Sequence, residues 1–214
     1  GLNLTTPINA AIVMTTNPIL VMLLSFIIVK EAISFRKILG ITLGFVGAST
    51  LILSDGAIDL SSNNSTGNLF VFINATSYGL YLVIVKPLLN KYHPLTVLFY
   101  VFAFGLLFVL PFGYDDLTIV KWGTIPVNIY LEIIFVVVCT TFIAYLLNSS
   151  ALKTLTASTV SIYIYLQPIL ASLFAIFLGA DFLDEKKIIA SVLIFSGVYL
   201  VSIRPSESMK QKLS

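Results

Sequence analysis

The chain has 214 residues, of which 58% are hydrophobic and only 10% are charged, and its mean hydropathy is +1.02. Soluble domains carry about 25% charged residues, so this composition cannot cover a water-facing surface and excludes a soluble globular protein. The net charge of +2 comes from residues spread among several polar breaks, and no basic cluster indicates a nucleic-acid partner.

Seven apolar segments follow one another along the chain, and each is bounded by charged or Pro/Gly/Asn-rich breaks. A membrane-crossing helix needs about 20 mostly apolar residues, and these segments approach or reach that length. The sequence therefore predicts an all-α membrane protein with about seven transmembrane helices, at residues 7–29, 35–53, 68–88, 95–111, 127–147, 157–178 and 187–203.

The first two segments are echoed, without a gap, about 150 positions later in the chain. Pro18 falls on Pro168, Lys37 on Lys187 and Gly47 on Gly197. Such an echo indicates an internal duplication. We predict that residues 1–54 end a first repeat with two helices, 55–67 link the repeats, 68–204 form a second repeat with five helices, and 205–214 are a cytoplasmic tail. We also expect three further crossings before Gly1, because the second copy has about eighty residues before its echo.

The charges in the breaks predict how the chain is oriented. Alternate breaks are rich in basic residues, and the breaks between them are mostly acidic. The basic set is Lys30, Arg36, Lys37, Lys86, Lys91, Lys153, Arg204, Lys210 and Lys212, and the acidic set is Asp55, Asp59, Asp115, Asp116, Asp181, Asp184 and Glu185. The positive-inside rule places the C-terminus and the 30–37 turn in the cytoplasm. An odd number of crossings separates the paired helices, so the repeats are predicted to be inverted.

The prolines at matching positions of the two repeats, Pro18 and Pro168, are predicted hinges. Each removes a backbone donor from a carbonyl four residues earlier, in Met14 and Ile164. In lipid such a break is tolerated where protein or water satisfies the carbonyl, so the pair predicts a shared cavity near the membrane midplane. The alternative interpretation is a kink that serves packing alone.

Polar side chains form stripes on the helices around these prolines. One stripe contains Ser158, Ser161, Tyr165, Pro168 and Ser172 at three- and four-residue steps. Further stripes lie in the first, third and fifth segments: Ala11, Thr15 and Pro18, then Asn74, Ser77, Tyr78 and Tyr81, then Thr141, Tyr145 and Asn148. Hydroxyls in membrane helices often bond only their own backbone. Together, however, the stripes predict a wide pocket for amphipathic or aromatic small molecules, lined by Thr15, Asn74, Tyr78, Tyr81 and Tyr165.

Glu132 is the one carboxylate inside an apolar segment, and two interpretations of it remain open. The side chain either reaches the membrane interface, where a charge costs less than at the bilayer centre, or it couples transport to protons.

No enzyme or cofactor is expected from the sequence. Cys139 and His93 are the only cysteine and the only histidine, so no metal-ligand set of these residues can form. The chain has no GxxxxGK[ST] phosphate loop, HExxH or GxSxG motif. We therefore predict no catalytic residue, no metal and no cofactor.

Residues 151–201, ALKTLTASTVSIYIYLQPILASLFAIFLGADFLDEKKIIASVLIFSGVYLV, carry a recognisable pattern: Ala-Ser at the helix start, a mid-helix proline, a glycine-acid turn and a glycine in the following helix. This pattern resembles EamA-type carriers of the drug/metabolite transporter superfamily. The family often has Glu before the proline, whereas this chain has Asn17 and Gln167, and its turns carry Glu31 and Asp181.

The resemblance implies ten helices in two inverted five-helix repeats, with this chain corresponding to helices 4–10. It also places Asn17 and Gln167 beside the substrate. The implied function is a secondary transporter that exports small metabolites, amino acids or drugs across the cytoplasmic membrane by alternating access. The expected partners are a small-molecule substrate and membrane lipids, with the chain a monomer or a homodimer. The alternative is a membrane scaffold or assembly protein that transports nothing.

Overall fold

A computed structural model of the protein describes residues 1–54, 65–120, 122–179 and 182–203. Those residues form ten α-helices and no strand: α1 Pro7–Met14, α2 Asn17–Ile28, α3 Phe35–Ser54, α4 Ser65–Leu89, α5 Pro94–Ile119, α6 Val127–Phe135, α7 Ala144–Thr154, α8 Ala157–Ser161, α9 Leu166–Phe177 and α10 Glu185–Ser202. Short 3₁₀ turns lie at Leu2–Leu4, Trp122–Thr124 and Ile162–Tyr165, and Val136–Ile143 is a π-helix.

Six stretches within the described ranges are long and apolar enough to cross a membrane. They are Pro7–Ile28, Phe35–Leu53, Ser65–Leu89, Pro94–Asp115, Val127–Thr154 and Ala157–Phe177. The seventh predicted segment is helical as α10, but it begins with the charged residues Glu185, Lys186 and Lys187 and is not among the six. The prediction of an all-α membrane protein is confirmed.

Three helices extend well beyond their predicted bounds, and the first of them, α4, begins at Ser65, inside the predicted linker. Helix α5 runs through Pro111 to Ile119, although the sequence predicted a break after that proline. Helix α7 runs through Asn148 to Thr154, where a polar break was expected. In α7 the hydroxyl of Ser150 donates to the Leu146 carbonyl at 2.8 Å, so a polar residue is accommodated within the helix rather than ending it.

The described chain divides into two compact units. The first contains Gly1–Val83 and the segment that begins at Thr156, and the second is Ile84–Leu155. The predicted repeat boundaries remain a prediction. Most of the predicted linker and the tail lie outside the described residues, as do six of the charged residues used to orient the chain: Asp55, Asp59, Asp181, Arg204, Lys210 and Lys212.

In the first unit, α3 and α10 pack directly against each other. A Cβ built on Gly40 would lie 2.7 Å from the Gly197 carbonyl oxygen, and one on Gly47 would lie 2.8 Å from the Ala190 carbonyl oxygen. These distances are too short for a side chain, so glycine permits the two backbones to touch. Small residues thus pack the two echoed helices against one another.

Each of these two contacts is the counterpart of the other when the two copies swap roles. Gly40 and Gly47 are the echo partners of Ala190 and Gly197, and Gly40 meets Gly197 while Gly47 meets Ala190. The beginning of each helix thus meets the end of the other, so α3 and α10 are antiparallel. Reciprocal contacts of this kind are the signature of a two-fold relation between two like surfaces.

The helix starts of the two copies are capped at matching positions. The Thr6 side chain accepts a bond from the Asn9 amide at 3.2 Å, and the Thr156 side chain accepts one from the Thr159 amide at 3.3 Å. Both are N-cap bonds that satisfy one of the free amides in a first helical turn. The two predicted copies therefore share this local hydrogen bond as well as their sequence pattern.

The turns that lead into α3 and α10 also match. The Lys37 ammonium donates to the Ala32 carbonyl at 3.4 Å, and the Lys187 ammonium donates to the Phe182 carbonyl at 2.9 Å, which is the equivalent position. Lys37 in addition pairs with Glu31. Each lysine thus folds back onto its own turn, and Lys187 is almost fully buried there.

The second unit contains α5, α6, the π-helix and α7. The Lys86 ammonium, at the end of α4, donates to the Leu152 carbonyl at 2.8 Å and also to the Leu155 carbonyl. It therefore satisfies carbonyls at the C-terminal end of α7, where the helix dipole favours a cation. The Phe102 and Tyr145 rings meet edge to face, with centroids 5.6 Å apart.

Candidate functional site

Both proline-containing crossings of the first unit are interrupted, as the sequence predicted. Helix α1 ends at Met14 and α2 begins at Asn17, and the hydroxyls of Thr15 and Thr16 donate back to the Ile12 and Val13 carbonyls. The interruption therefore lies directly before Pro18.

The second interruption is the 3₁₀ turn Ile162–Tyr165 between α8 and α9. Here the Leu166 amide bonds the carbonyls of Tyr163 and Ile164. The bond to the Tyr163 carbonyl is the 3₁₀ bond, and the Ile164 carbonyl, which Pro168 deprives of its usual helical partner, receives the shorter-range contact from the Leu166 amide two residues later. Such adjustments are how a membrane helix tolerates a proline.

A cavity of about 530 Å³ lies between these two interrupted crossings and α3. Pocket volumes of this order accommodate small organic ligands. Its wall comes from α1, the end of α3 and α9, and consists of Pro7, Ile8, Ala11, Met14, Thr15, Leu51, Ile52, Ile164, Gln167, Pro168, Ala171, Ser172 and Ala175. The predicted residues Thr15, Gln167 and Pro168 therefore share one cavity.

Three uncharged polar side chains line this cavity. The Thr15 hydroxyl donates to the Ile12 carbonyl at 2.6 Å, and its oxygen can still accept a hydrogen bond. The side chains of Gln167 and Ser172 make no hydrogen bond within the described part of the chain. The remaining lining residues are apolar, and none of the thirteen carries a charge.

A second cavity of about 450 Å³ contains the predicted residue Asn74. It is bordered by Gly1, Leu2, Asn3, Met14, Phe70, Val71 and Asn74. Met14 borders both cavities and so lies between Asn74 and the Thr15–Gln167 site. The sequence analysis did not name Met14 as a site residue. Its echo partner Ile164 also lines the first cavity. Both residues lie four positions before a matched proline, and that spacing is the signal that could have identified Met14.

Three further predicted residues are buried and do not line the first cavity. The Tyr165 ring is fully buried against Gly44 in α3, and its hydroxyl has no partner in the described chain. The Asn17 amide nitrogen donates to the Ala75 carbonyl of α4 at 2.7 Å. Pro18 is buried at the start of α2. A role at the substrate for Tyr165 and Asn17, and a hinge role for Pro18, stay predictions.

The remaining predicted residues lie on other helices. Tyr78 and Tyr81 are half-buried on α4, and their rings stack with centroids 6.1 Å apart. Glu132 is exposed on α6 in the second unit, and both interpretations of it stay open. Within the described ranges no three His, Cys, Asp or Glu residues are grouped so as to hold a metal ion.

Comparison with known proteins gives a consistent result. The sequence profile of the EamA-like transporter family matches residues 1–53 and 65–203. An uncharacterized transporter of Archaeoglobus fulgidus is 29% identical over 209 residues, which are 95% of this chain and 70% of that protein. The uncharacterized transporter YyaM of Bacillus subtilis is 26% identical over 204 residues, or 94% of this chain and 66% of YyaM.

A solved crystal structure shares the fold. Its TM-score is 0.77 at 18% sequence identity, and the match covers 94% of this chain and 68% of that one. The apolar crossings, the family profile and the transporter relatives together establish a multi-pass membrane protein with a transporter function. The chain belongs to the EamA-like transporter family.

Proposed function

We propose that the protein is a secondary transporter that exports small metabolites, amino acids or drugs across the cytoplasmic membrane by alternating access. In this proposal the cavity between the two interrupted crossings holds the substrate in transit. Thr15 and Gln167 contact the substrate there, and Asn17, Asn74, Tyr78, Tyr81 and Tyr165 contribute from the surrounding helices.

The main support for the proposal is that the two proline-interrupted crossings line one cavity. Thr15 comes from the first crossing and Gln167 from the second, and both line the same space. Interrupted helices from two repeats commonly form substrate sites in transporters, because irregular backbone at membrane depth is tolerated where it lines a cavity.

The reciprocal packing of α3 and α10 supports an alternating-access cycle. Two like surfaces that are related by a two-fold axis in the membrane plane can rock so that a central site faces either side in turn. We further propose that the prolines Pro18 and Pro168 act as hinges, and that the C-terminus and the turn at residues 30–37 face the cytoplasm.

Flux measurements in proteoliposomes test the proposal. The protein produced from its complete reading frame is reconstituted, and exchange is followed for a labelled panel of amino acids, nucleosides and neutral aromatic compounds. We expect flux above protein-free liposomes for at least one compound. In the Gln167→Leu variant we expect that flux to fall at least tenfold, because leucine keeps the volume but cannot hydrogen-bond.

The matched control is Ser196→Ala, which also removes a polar group, but from an exposed position of α10. Flux in this variant should match the unsubstituted protein. Folded protein that gives no flux for any panel compound would contradict the proposal and favour the scaffold alternative.

A further inference from the structure

The thirteen described residues that line the 530 Å³ cavity are all uncharged. Ten of them are apolar, and the other three are Thr15, Gln167 and Ser172. An ionised group that loses water on entering such a site finds no opposite charge among these thirteen residues to offset the cost. None of them therefore favours a carboxylate or an ammonium group over an uncharged head.

The hydrogen-bonding capacity of the cavity is concentrated on α9. The Gln167 amide offers two donors and a carbonyl acceptor, and the Ser172 hydroxyl offers one donor and an acceptor. Neither side chain makes a hydrogen bond to another part of the described chain. The Thr15 oxygen adds an acceptor from the opposite crossing, since its proton already goes to the Ile12 carbonyl.

The apolar remainder of the wall fits the body of a ligand rather than its polar end. Ala11, Ala171 and Ala175 are small, so they leave room beside the larger Met14 and Ile164. Apolar burial is expected to supply most of the binding free energy, while a few placed polar groups fix the ligand's orientation.

We propose that this cavity selects uncharged molecules with an apolar body and a carboxamide-type head, which pairs with the Gln167 amide. A carboxamide presents a donor and an acceptor side by side, and the Gln167 amide presents the complementary pair. This inference rests on the proposed function, because it names the substrate class of the transport cavity.

Binding to detergent-solubilised full-length protein tests the inference separately from transport. The probes are benzamide, benzoate and benzylammonium, which share one ring and differ in the charge of the head. We expect benzamide to bind at least tenfold more tightly than either ion at pH 7, as measured by microcalorimetry and by the shift in thermal unfolding temperature.

Two substitutions sharpen the test. Gln167→Leu should remove the preference for benzamide, and Gln167→Glu should reverse it toward benzylammonium, because the new carboxylate supplies the missing opposite charge. Ser196→Ala should leave all three affinities unchanged. These variants distinguish recognition by the head group from partition of the ring into apolar surface.

Several results would overturn the inference. They are equal affinity for all three probes, tighter binding of either ion, absence of benzamide binding to folded protein, or an unaltered preference in Gln167→Leu. If the benzamide preference holds but reconstituted protein shows no flux, the selectivity stands and the transporter proposal fails. If flux is present without the preference, the transporter proposal stands and the inference fails.

Discussion

The Tyr165 side chain, which was predicted to line the substrate pocket, is buried against a neighbouring helix. It occupies the position equivalent to Thr15, yet Thr15 lines the cavity while the Tyr165 ring is buried against Gly44. The echo partner of Gly44 is Ile194, so the other repeat lacks the corresponding space for a ring. The absence of a side chain at Gly44 therefore provides the space that the Tyr165 ring fills.

The Tyr165 hydroxyl leads to a specific prediction, because it is buried without a hydrogen-bond partner in the described chain. Burying a hydroxyl without a partner costs about 1–3 kcal/mol. We therefore expect Tyr165→Phe to leave the thermal unfolding temperature of the substrate-free protein unchanged or to raise it. Differential scanning fluorimetry in detergent measures this.

Tyr163→Phe is the matched control, since the Tyr163 hydroxyl lies 3.3 Å from the Ser202 hydroxyl and is exposed. It should give a small decrease or no change. A clear loss of stability in Tyr165→Phe would show that the hydroxyl has a partner after all. If Tyr165→Phe is stable but loses flux, the hydroxyl serves the transport cycle, as the sequence predicted.

At the scale of helices, the contact between α3 and α10 depends on glycines, which have no side chain to hold the two backbones apart. The Gly40 position illustrates it, because an added Cβ would lie 2.7 Å from both the Gly197 carbonyl oxygen and a Val201 methyl group. Backbone atoms of a packed helix cannot turn aside as a flexible side chain can, so the helices must separate.

We predict that Gly40→Ala destabilises the protein, by about 1–3 kcal/mol as for other overpacked sites. The measurement is the unfolding free energy or midpoint in detergent. Gly105→Ala is the control: Gly105 is also inside a helix, but nothing lies within 4 Å of an added Cβ. It should be neutral or slightly stabilising, because alanine favours a helix. Equal effects at both positions would contradict close packing of α3 on α10.

The helices themselves could largely be predicted from the sequence, but their ends and their partners could not. Apolar length determines that a segment crosses the membrane, whatever its neighbours are, and six described crossings follow that rule. Helix α7 continues through the polar residues that were expected to end it, and the Ser150 hydroxyl bonds within it to the Leu146 carbonyl. The cavity wall depends on tertiary contacts, so Thr15 and Gln167 were recognised but Met14 was not.

At the scale of the whole molecule, the predicted duplication is matched by local structure in the two copies. The two copies share their helix caps at Thr6 and Thr156 and the fold-back of Lys37 and Lys187. Because α3 and α10 are antiparallel, the turns that precede them lie at opposite ends of the pair. In a membrane, opposite ends of crossing helices face opposite compartments.

This geometry gives a prediction about membrane topology. Reporter tags inserted in the turn at residues 29–34 and in the turn at residues 179–184 should be accessible from opposite sides of the membrane. The positive-inside rule further predicts the first turn to be cytoplasmic, since it contains Lys30 and is followed by Arg36 and Lys37. Protease protection and impermeant labelling of tagged protein in cells and inverted vesicles give the readout.

A tag after residue 205 is the internal control, and it should report the same side as the turn at 29–34. Each tagged protein should first be shown to reach the membrane intact, so that lost accessibility reflects sidedness and not degradation. If both turns are labelled from one side, the two copies run in the same direction. An inverted-repeat mechanism would then be excluded, because no two-fold axis in the membrane plane could relate them.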